Sequence, residues 1–402
     1  MIILSKEQNN FADWFLKNPS PICVLTGHAG SGKTTVMKEI DRKTRAVWCA
    51  PSHQAKNVLA NMIKHGEVNT IASALGLRPV KNYGGGGGTK FLPVGKSVLS
   101  NEKIAIFDES SMIDDEQLKW ILEKNISKIL FCGDPAQLPP VMSLKSPVFD
   151  RNYPTYHLSK VFRQAEGSPI LDFATDIRET GGKNPDKYGI KHVGLNLENV
   201  MEFYRRYPDG VAVCPTHKEK EFVNTAARKV FDVENSDKPF LKGERLLLES
   251  PIEPPNGPQN GDMVTISSNP KDVYFQGFRV WEMQIVTRKL EEFYDIRVPN
   301  DESERKAIEN QIRKLSKEYR ACGSEQRKSH LAREMDLLTE GITQAGAGYG
   351  VTIHKAQGST YEDVLFLTGG MRFFRTAAEK KKMAYTACTR AAKNLILCEG
   401  VL

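Results

Sequence analysis

The chain has no C-x-x-C pair, and its seven cysteines are an odd number. A disulfide framework or a cysteine zinc site is therefore not expected. Most of the cysteines (Cys23, Cys49, Cys132, Cys214, Cys398) lie in apolar runs and read as buried free thiols in a reducing cytoplasm. No stretch approaches the ~18 consecutive apolar residues of a membrane-spanning helix. The start, Met1-Ile2-Ile3-Leu4-Ser5-Lys6-Glu7, turns polar by Ser5 and lacks a secretory apolar region. A cytoplasmic location is expected, the host cytoplasm if the chain is viral. Excess charge of one sign is small: 56 Lys+Arg against 49 Asp+Glu gives +7. Such a balance permits a nucleic-acid partner without arguing for one. No tandem repeat of about 20–50 residues is present, which sets aside solenoids and propellers.

What remains is ordinary globular composition, 40% apolar and 26% charged, over 402 residues. At ~100–200 residues per domain this length exceeds one core. Short apolar runs recur at residues 22–26, 46–50, 104–107, 129–132, 211–214, 350–353, 364–367 and 395–398. They are short and β-branched, so they read as buried strands of a parallel sheet. Helical stretches such as 114–124 and 218–231 fall between them, which predicts α/β architecture. Ligands in such sheets bind beyond the carboxyl ends of the strands, so the residues after each run are where chemistry is sought.

The first run leads into Gly27-His28-Ala29-Gly30-Ser31-Gly32-Lys33-Thr34, then Thr35 and a helical stretch. This fits G-x-x-x-x-G-K-[ST], a loop whose backbone N–H groups cradle phosphates at a helix N-terminus. Gly27, Gly30 and Gly32 let the loop turn. Lys33 is placed to reach the β- and γ-phosphates of a nucleoside triphosphate, and Thr34 to hold Mg²⁺. The run 104–107 then delivers Asp108 and Glu109. Asp108 suits the magnesium shell, and Glu109 suits a general base for the attacking water. Together these motifs predict nucleotide hydrolysis without saying what it drives.

Further strings follow in order. Gly133-Asp134-Pro135-Ala136-Gln137-Leu138-Pro139-Pro140-Val141 resembles the third motif of superfamily 1 helicases, as Asp108-Glu109-Ser110-Ser111-Met112 resembles the second. Leu4-Ser5-Lys6-Glu7-Gln8 is similar to their Q motif and Ala50-Pro51-Ser52-His53-Gln54-Ala55 to motif Ia. Val161-Phe162-Arg163-Gln164 resembles motif IV, residues 351–360 motif V, and Ala384-Tyr385-Thr386-Ala387-Cys388-Thr389-Arg390-Ala391 motif VI. The resemblance spans residues 4–391 and is to the 1B branch, the Dda-like and RecD-like DNA helicases. It implies Gln8 on adenine, Gln137 as γ-phosphate sensor or water-positioning group, and Arg163 and Arg390 as arginines reaching across a domain cleft. The Ser5–Gln8 string also fits a plain helix cap. Two departures stand out: motif Ib reads Thr70-Ile71-Ala72-Ser73 where such chains often carry a histidine, and the region matching the strand-splitting pin holds five glycines, 84–88.

The resemblance implies two RecA-like P-loop domains with an inserted pin region and an SH3-like accessory domain. The boundaries expected are 1–150 for the first domain, with the pin near 78–100, and 151–248 plus 341–402 for the second. The accessory insert is expected at 249–340, with strands at 261–266 and 279–287 and two exposed helices in the charged run 301–340. The implied activity is ATP-dependent translocation on single-stranded DNA, 5′-to-3′, with duplex unwinding by a monomer. Single-strand-binding or replication proteins are further candidate partners. The candidate DNA contacts are His53, Thr70, Phe91, Thr216, His354 and Lys355, each with a purely structural role as rival. Two other functions stay open: a RecD-like motor subunit of a nuclease or recombination complex, and an ATP-switched nucleic-acid-binding protein that unwinds nothing.

Overall fold

Four of the short apolar runs and two further strands align in one parallel sheet, ordered Glu67–Thr70, Val47–Ala50, Ile104–Phe107, Lys128–Gly133, Ile22–Gly27 and Thr155–Leu158, the two at the edges being the additions. The computed structural model describes residues 5–82, 88–93, 95–99, 104–140, 143, 145–159, 168–182, 184–231, 239–252, 257–287 and 291–400. Successive residues of the Ile22–Gly27 strand face opposite cores. Cys23 and Leu25 join Phe11, Phe15, Met37 and Ile40 on one face, and Val24 joins Leu75, Phe107, Leu118 and Ile121 on the other. With both faces covered, the four inner strands are largely apolar instead of alternating, which is why they read as unbroken runs, whereas the edge strands Glu67–Thr70 and Thr155–Leu158 are polar and partly exposed.

A second sheet is ordered Gly350–Thr352, Val211–Cys214, Tyr361–Leu367, Ala391–Glu399 and Lys191–Gly194, the last four of them parallel. Both sheets belong to one compact unit, residues 1–78, 93–222 and 351–402. Six of the seven cysteines are buried there as free thiols. No helix among the described residues is long and apolar enough to cross a membrane.

The second unit comprises residues 79–92 and 223–350. Its main sheet is antiparallel: Lys271–Phe275, Phe278–Thr287, Met263–Ile266, Arg245–Leu248 and Ala345–Ala347 in order, with Phe293–Pro299 also on Phe278–Thr287. The charged run forms two helices, Glu302–Ala321 and Glu325–Gly341, capped by Asp301 and Ser324. They are not solvated all round. Ile308, Leu315, Leu331, Met335 and Leu338 form a buried stripe with Val280 of the sheet, joined by Phe275 and Phe278. Helical spacing had hidden that stripe among the charges.

Two boundaries move from their expected places. The first sheet continues past 150, because Thr155–Leu158 pairs with Ile22–Gly27. The strand Arg245–Leu248 pairs with Met263–Ile266, so it belongs with the inserted sheet and not with the second parallel one. The expected pin yields two paired strands, Arg78–Asn82 and Gly88–Leu92. Residues 83–87, and the side chain of Phe91, lie outside the described residues.

Candidate functional site

The loop after Ile22–Gly27 ends at Gly32, which caps the helix Lys33–Lys43 with φ +77°. The positive φ favours glycine there, and a Cβ at Gly32 would also displace the Gln8 amide. Lys33 Nζ donates to the carbonyls of Gly27 at 2.8 Å and His28 at 3.0 Å, which holds the ammonium at the loop mouth. The Ser31 hydroxyl and His28 Nδ1 are buried without a partner. Burial pushes His28 below the ordinary histidine pKa, so its ring is neutral at pH 7. The Gln8 amide is already engaged. Its oxygen accepts from Ser5 N–H at 2.9 Å in a capping box, and its nitrogen donates to the Ser31 carbonyl at 3.4 Å. Gln8 thus braces the phosphate loop from behind and does not line the cavity.

The Ile104–Phe107 strand delivers the acidic pair. The surrounding protein and then the Glu109 charge push Asp108 up to about 7, against the pull of Lys33. Glu109 sits in the left-handed region at φ +49°, an unfavourable conformation for a side-chain-bearing residue. The turn is pinned from behind: Ser110 Oγ donates to the Phe107 carbonyl, and Ser146 Oγ to the carbonyls of Ser110 and Ile113.

The third element follows Lys128–Gly133. Gln137 is buried and its side-chain oxygen has no partner. Its neighbour Leu138 is gripped by the second sheet's elements: Leu138 N–H donates to Thr386 Oγ1 at 3.2 Å, and Gln357 Nε2 donates to the Leu138 carbonyl at 2.8 Å. Arg390 is 5% exposed. Its guanidinium donates to the carbonyls of Thr386 and Ser359 and to Thr389 Oγ1, each at 3.0 Å.

Lys33, Asp108, Glu109, Gln137 and Arg390 are brought together around one cavity of about 560 Å³, with Gly30, Gly32, Thr34 and Thr35 also on its wall. That volume suits a nucleotide-sized ligand. The orphaned Ser31 hydroxyl and Gln137 oxygen, beside a lysine and two carboxylates, fit a magnesium nucleotide. Thr34 and Asp108 would hold the ion, which when bound would offset phosphate charge. Arg163 lies outside the described residues.

The nucleic-acid candidates fall on capped helix starts. Ser52 caps the helix that His53 begins. Thr70 is buried and caps Ile71–Ala74 through Ser73 N–H at 3.1 Å. Thr352 caps Ile353–Ala356, the helix of His354 and Lys355. Thr216 bonds to Glu219 three ways, and its hydroxyl proton goes to Glu219 Oε2 at 2.8 Å, so that proton is not directed outward. Sequence reasoning missed the doubling in this set. Pro51-Ser52-His53 follows Val47–Ala50, whose neighbour Glu67–Thr70 leads into Thr70-Ile71-Ala72-Ser73-Ala74. Pro215-Thr216-His217 follows Val211–Cys214, whose neighbour Gly350–Thr352 leads into Thr352-Ile353-His354-Lys355-Ala356. Thr70 and Thr352 even share backbone angles, φ −74° and ψ 153° against −75° and 153°. The repeated strings P-[ST]-H and T-I-x-x-A were the available signal. They add Ser52, His217 and Thr352 to the set.

Comparison with known proteins agrees with this arrangement. The AAA domain family matches residues 3–189, and the UvrD-like helicase C-terminal domain family matches 347–398. The ATP-dependent RecD2 DNA helicase of Deinococcus radiodurans is 29% identical over 217 residues, 52% of this chain and 27% of that protein. The uncharacterized protein R530 of Acanthamoeba polyphaga mimivirus is 31% identical over 183 residues, 37% of this chain and 36% of that one. The chain therefore spans about a third of the length of such relatives. Among solved structures, the Pif1 helicase from Bacteroides in complex with ADP-AlF3 and ssDNA superposes with TM-score 0.57. It covers 99% of this chain and 92% of its own at 19% identity, which establishes a shared fold of two RecA-like domains.

Proposed function

We propose that the chain is a member of the Pif1- and RecD-like branch of the superfamily 1B helicases, an ATP-driven motor on single-stranded DNA that unwinds duplexes; the two family matches, the RecD2 relative and the shared Pif1 fold support that reading. The observation that carries the proposal is the doubled set of capped helix starts at the strand ends of both parallel sheets. Two equivalent sets of hydroxyls and imidazoles, one per domain, suit a strand gripped alternately by each. Contacts of this kind go to phosphate and sugar and carry no sequence information. Cleft closure around ATP and reopening after hydrolysis would shift one grip relative to the other. In the cleft, Lys33 neutralises phosphate charge, Glu109 takes the proton of the attacking water, and Gln137 orients that water. Arg390, joined by Arg163, meets the charge that develops on the transferred phosphoryl group. Movement is 5′-to-3′ by family resemblance.

We read the antiparallel sheet of the second unit as an SH3-like accessory domain and the strands Arg78–Asn82 and Gly88–Leu92 as the pin. The chain acts as a monomer in the cytoplasm, with magnesium as its cation. Strand displacement on 5′-tailed and 3′-tailed duplexes tests the proposal. Unwinding of the 5′-tailed substrate alone is expected, with turnover raised at least about tenfold by single strands of any composition and weakened by salt. Equal hydrolysis with and without single strands would sink the motor reading. Stimulated hydrolysis without displacement would leave only a switch, or a motor that needs a larger complex.

A further inference from the structure

Tyr385 is 2% exposed, and its hydroxyl stands where the two parallel-sheet domains meet. It accepts from the backbone N–H of Ala29, inside the phosphate loop, at 2.8 Å. It donates to Asp134 Oδ2 at 2.6 Å. Burial, and then the Asp134 charge, push the hydroxyl well above the ordinary tyrosine range, so it keeps the proton it donates. Asp134 is wholly buried, and its other oxygen accepts from Arg178 Nη1 at 2.7 Å and from Ala136 N–H at 3.0 Å. Arg178 sits on the helix Pro169–Thr180, which packs against Ala377–Cys388, the helix of Tyr385. Ala29 and Asp134 thus come from the first domain, and Tyr385 and Arg178 from elements of the second.

None of these contacts touches the reacting atoms, yet each end of the chain leads to a group that does. Ala29 lies four residues before Lys33. Asp134 holds the turn that presents Gln137, by way of Ala136 N–H. Tyr385 lies on the same segment as Arg390, whose Nε binds the carbonyl of Thr386. Buried hydrogen bonds of this kind are directional, and loss of one partner leaves the others unsatisfied. Tyr385 thus stands between the phosphate loop and the segment that carries Arg390.

We propose that Tyr385, braced by Asp134 and Arg178, is a positioning residue: a latch between the domains that makes the placement of Arg390 depend on the conformation of the phosphate loop. The latch rests on the motor reading above, because it couples hydrolysis to domain movement driven on a nucleic-acid track. Tyr385→Phe removes one oxygen and keeps the ring. It should lower single-strand-stimulated turnover about tenfold and leave KM for ATP within about twofold. The ratio of stimulated to basal turnover should collapse. A merely structural loss would instead reduce the folded fraction and scale both rates together, leaving the ratio intact.

The test measures that ratio for wild type, Tyr385→Phe, Arg178→Gln and the double variant, with thermal melting of each. Arg178 is partly accessible, so its exchange for glutamine offers a milder break of the same chain. A collapsed ratio in both single variants, with the double variant no worse than the lower of them, is the expected result, since the groups act through one network. A ratio within about twofold of wild type in Tyr385→Phe overturns the latch, as do single effects that multiply in the double variant. A wild-type protein that single strands do not stimulate overturns the motor reading and the latch with it. Stimulation intact in every variant overturns the latch alone.

Discussion

The backbone N–H of Glu109 donates to Oδ1 of Asp108 at 2.9 Å, and the turn that permits this bond holds Glu109 at φ +49°. Left-handed backbone costs a side-chain-bearing residue about 1–2 kcal/mol, so surrounding bonds must impose it. The turn leaves both carboxylates on the wall of the same cavity. Glu109→Gln should bind nucleotide normally and hydrolyse it ~10²–10⁴-fold more slowly, because an amide cannot accept the water's proton. Glu109→Gly should lose as much activity yet gain about 1 kcal/mol of stability, since glycine accepts the turn without strain. Single-turnover hydrolysis and urea melting read both effects. Wild-type hydrolysis by Glu109→Gln would remove the general-base role.

The elevated pKa of Asp108, about 7, gives stability a pH dependence of unusual sign. In the unfolded chain this carboxyl titrates near ~3.9. Between the two values the folded protein binds more protons than the unfolded one, so its contribution to stability falls as pH rises from about 4 through about 7. Asp108→Asn should flatten that slope. A cation held by Thr34 and Asp108 competes with the same proton, so magnesium should raise the melting temperature more at pH ~8 than at pH ~6. Melting curves at four pH values, with and without magnesium, check this. Identical slopes in wild type and Asp108→Asn would refute the assignment.

Lys33, Asp108, Glu109 and Gln137 were legible as one cavity's lining because each sits in a short local string that follows a buried strand, where an α/β sheet presents its ligands, whereas Arg390 was legible only through its motif, since it stands between a helix and the strand that follows. Tyr385, Asp134 and Arg178 were not legible as a group. They come from three separate segments, and only packing of the two domains brings a tyrosine oxygen onto Ala29. Gln8 shows the opposite limit: its string serves as a helix cap and as a brace for the phosphate loop, and sequence alone does not separate these from an adenine contact. The boundary at 248 cut the strand Arg245–Leu248 off from its antiparallel partner Met263–Ile266, because the Pro-, Asn- and Gly-rich stretch from 249 that marks a domain edge in the sequence is a connection within the inserted sheet.

The Arg390 guanidinium donates hydrogen bonds to protein oxygens of Thr386, Ser359 and Thr389 while lining the same cavity as Lys33. If Arg390 meets the transferred phosphoryl group as proposed, its guanidinium must exchange these protein oxygens for phosphate oxygens. Arg390→Lys keeps the charge but has no planar fork with which to make that exchange. Both Arg390→Lys and Arg390→Ala should slow stimulated hydrolysis by ~10²-fold or more, with binding of single strands in the absence of nucleotide unchanged. Arg163→Ala should behave alike if it shares the task. Steady-state kinetics paired with strand-binding titrations separate the two effects, and near-normal turnover in any variant removes that arginine from the cleft.

The helical hairpin offers the sharpest division between motor and insert. All the cleft residues belong to the first unit, whereas Glu302–Ala321 and Glu325–Gly341 share the second with residues 79–92. Because Leu331, Met335 and Leu338 bury themselves with Val280, removing residues 303–338 would uncover a sheet face as well as delete a support. Point changes are the cleaner probe. Leu331→Ala and Met335→Ala should each cost about 2–5 kcal/mol within the second unit. Exposed pairs such as Lys306–Glu302 should cost little when broken, about 0.5 kcal/mol or less. If the hairpin stiffens the element that splits the duplex, the two core variants should keep more than about half of stimulated ATPase and lose most strand displacement, in the manner of domain units that open separately. Deleting 303–338 should give the same split more severely, and Phe91→Ala more mildly. ATPase and displacement measured on one preparation decide the matter: a proportional fall in both would place the hairpin in the motor or in its folding.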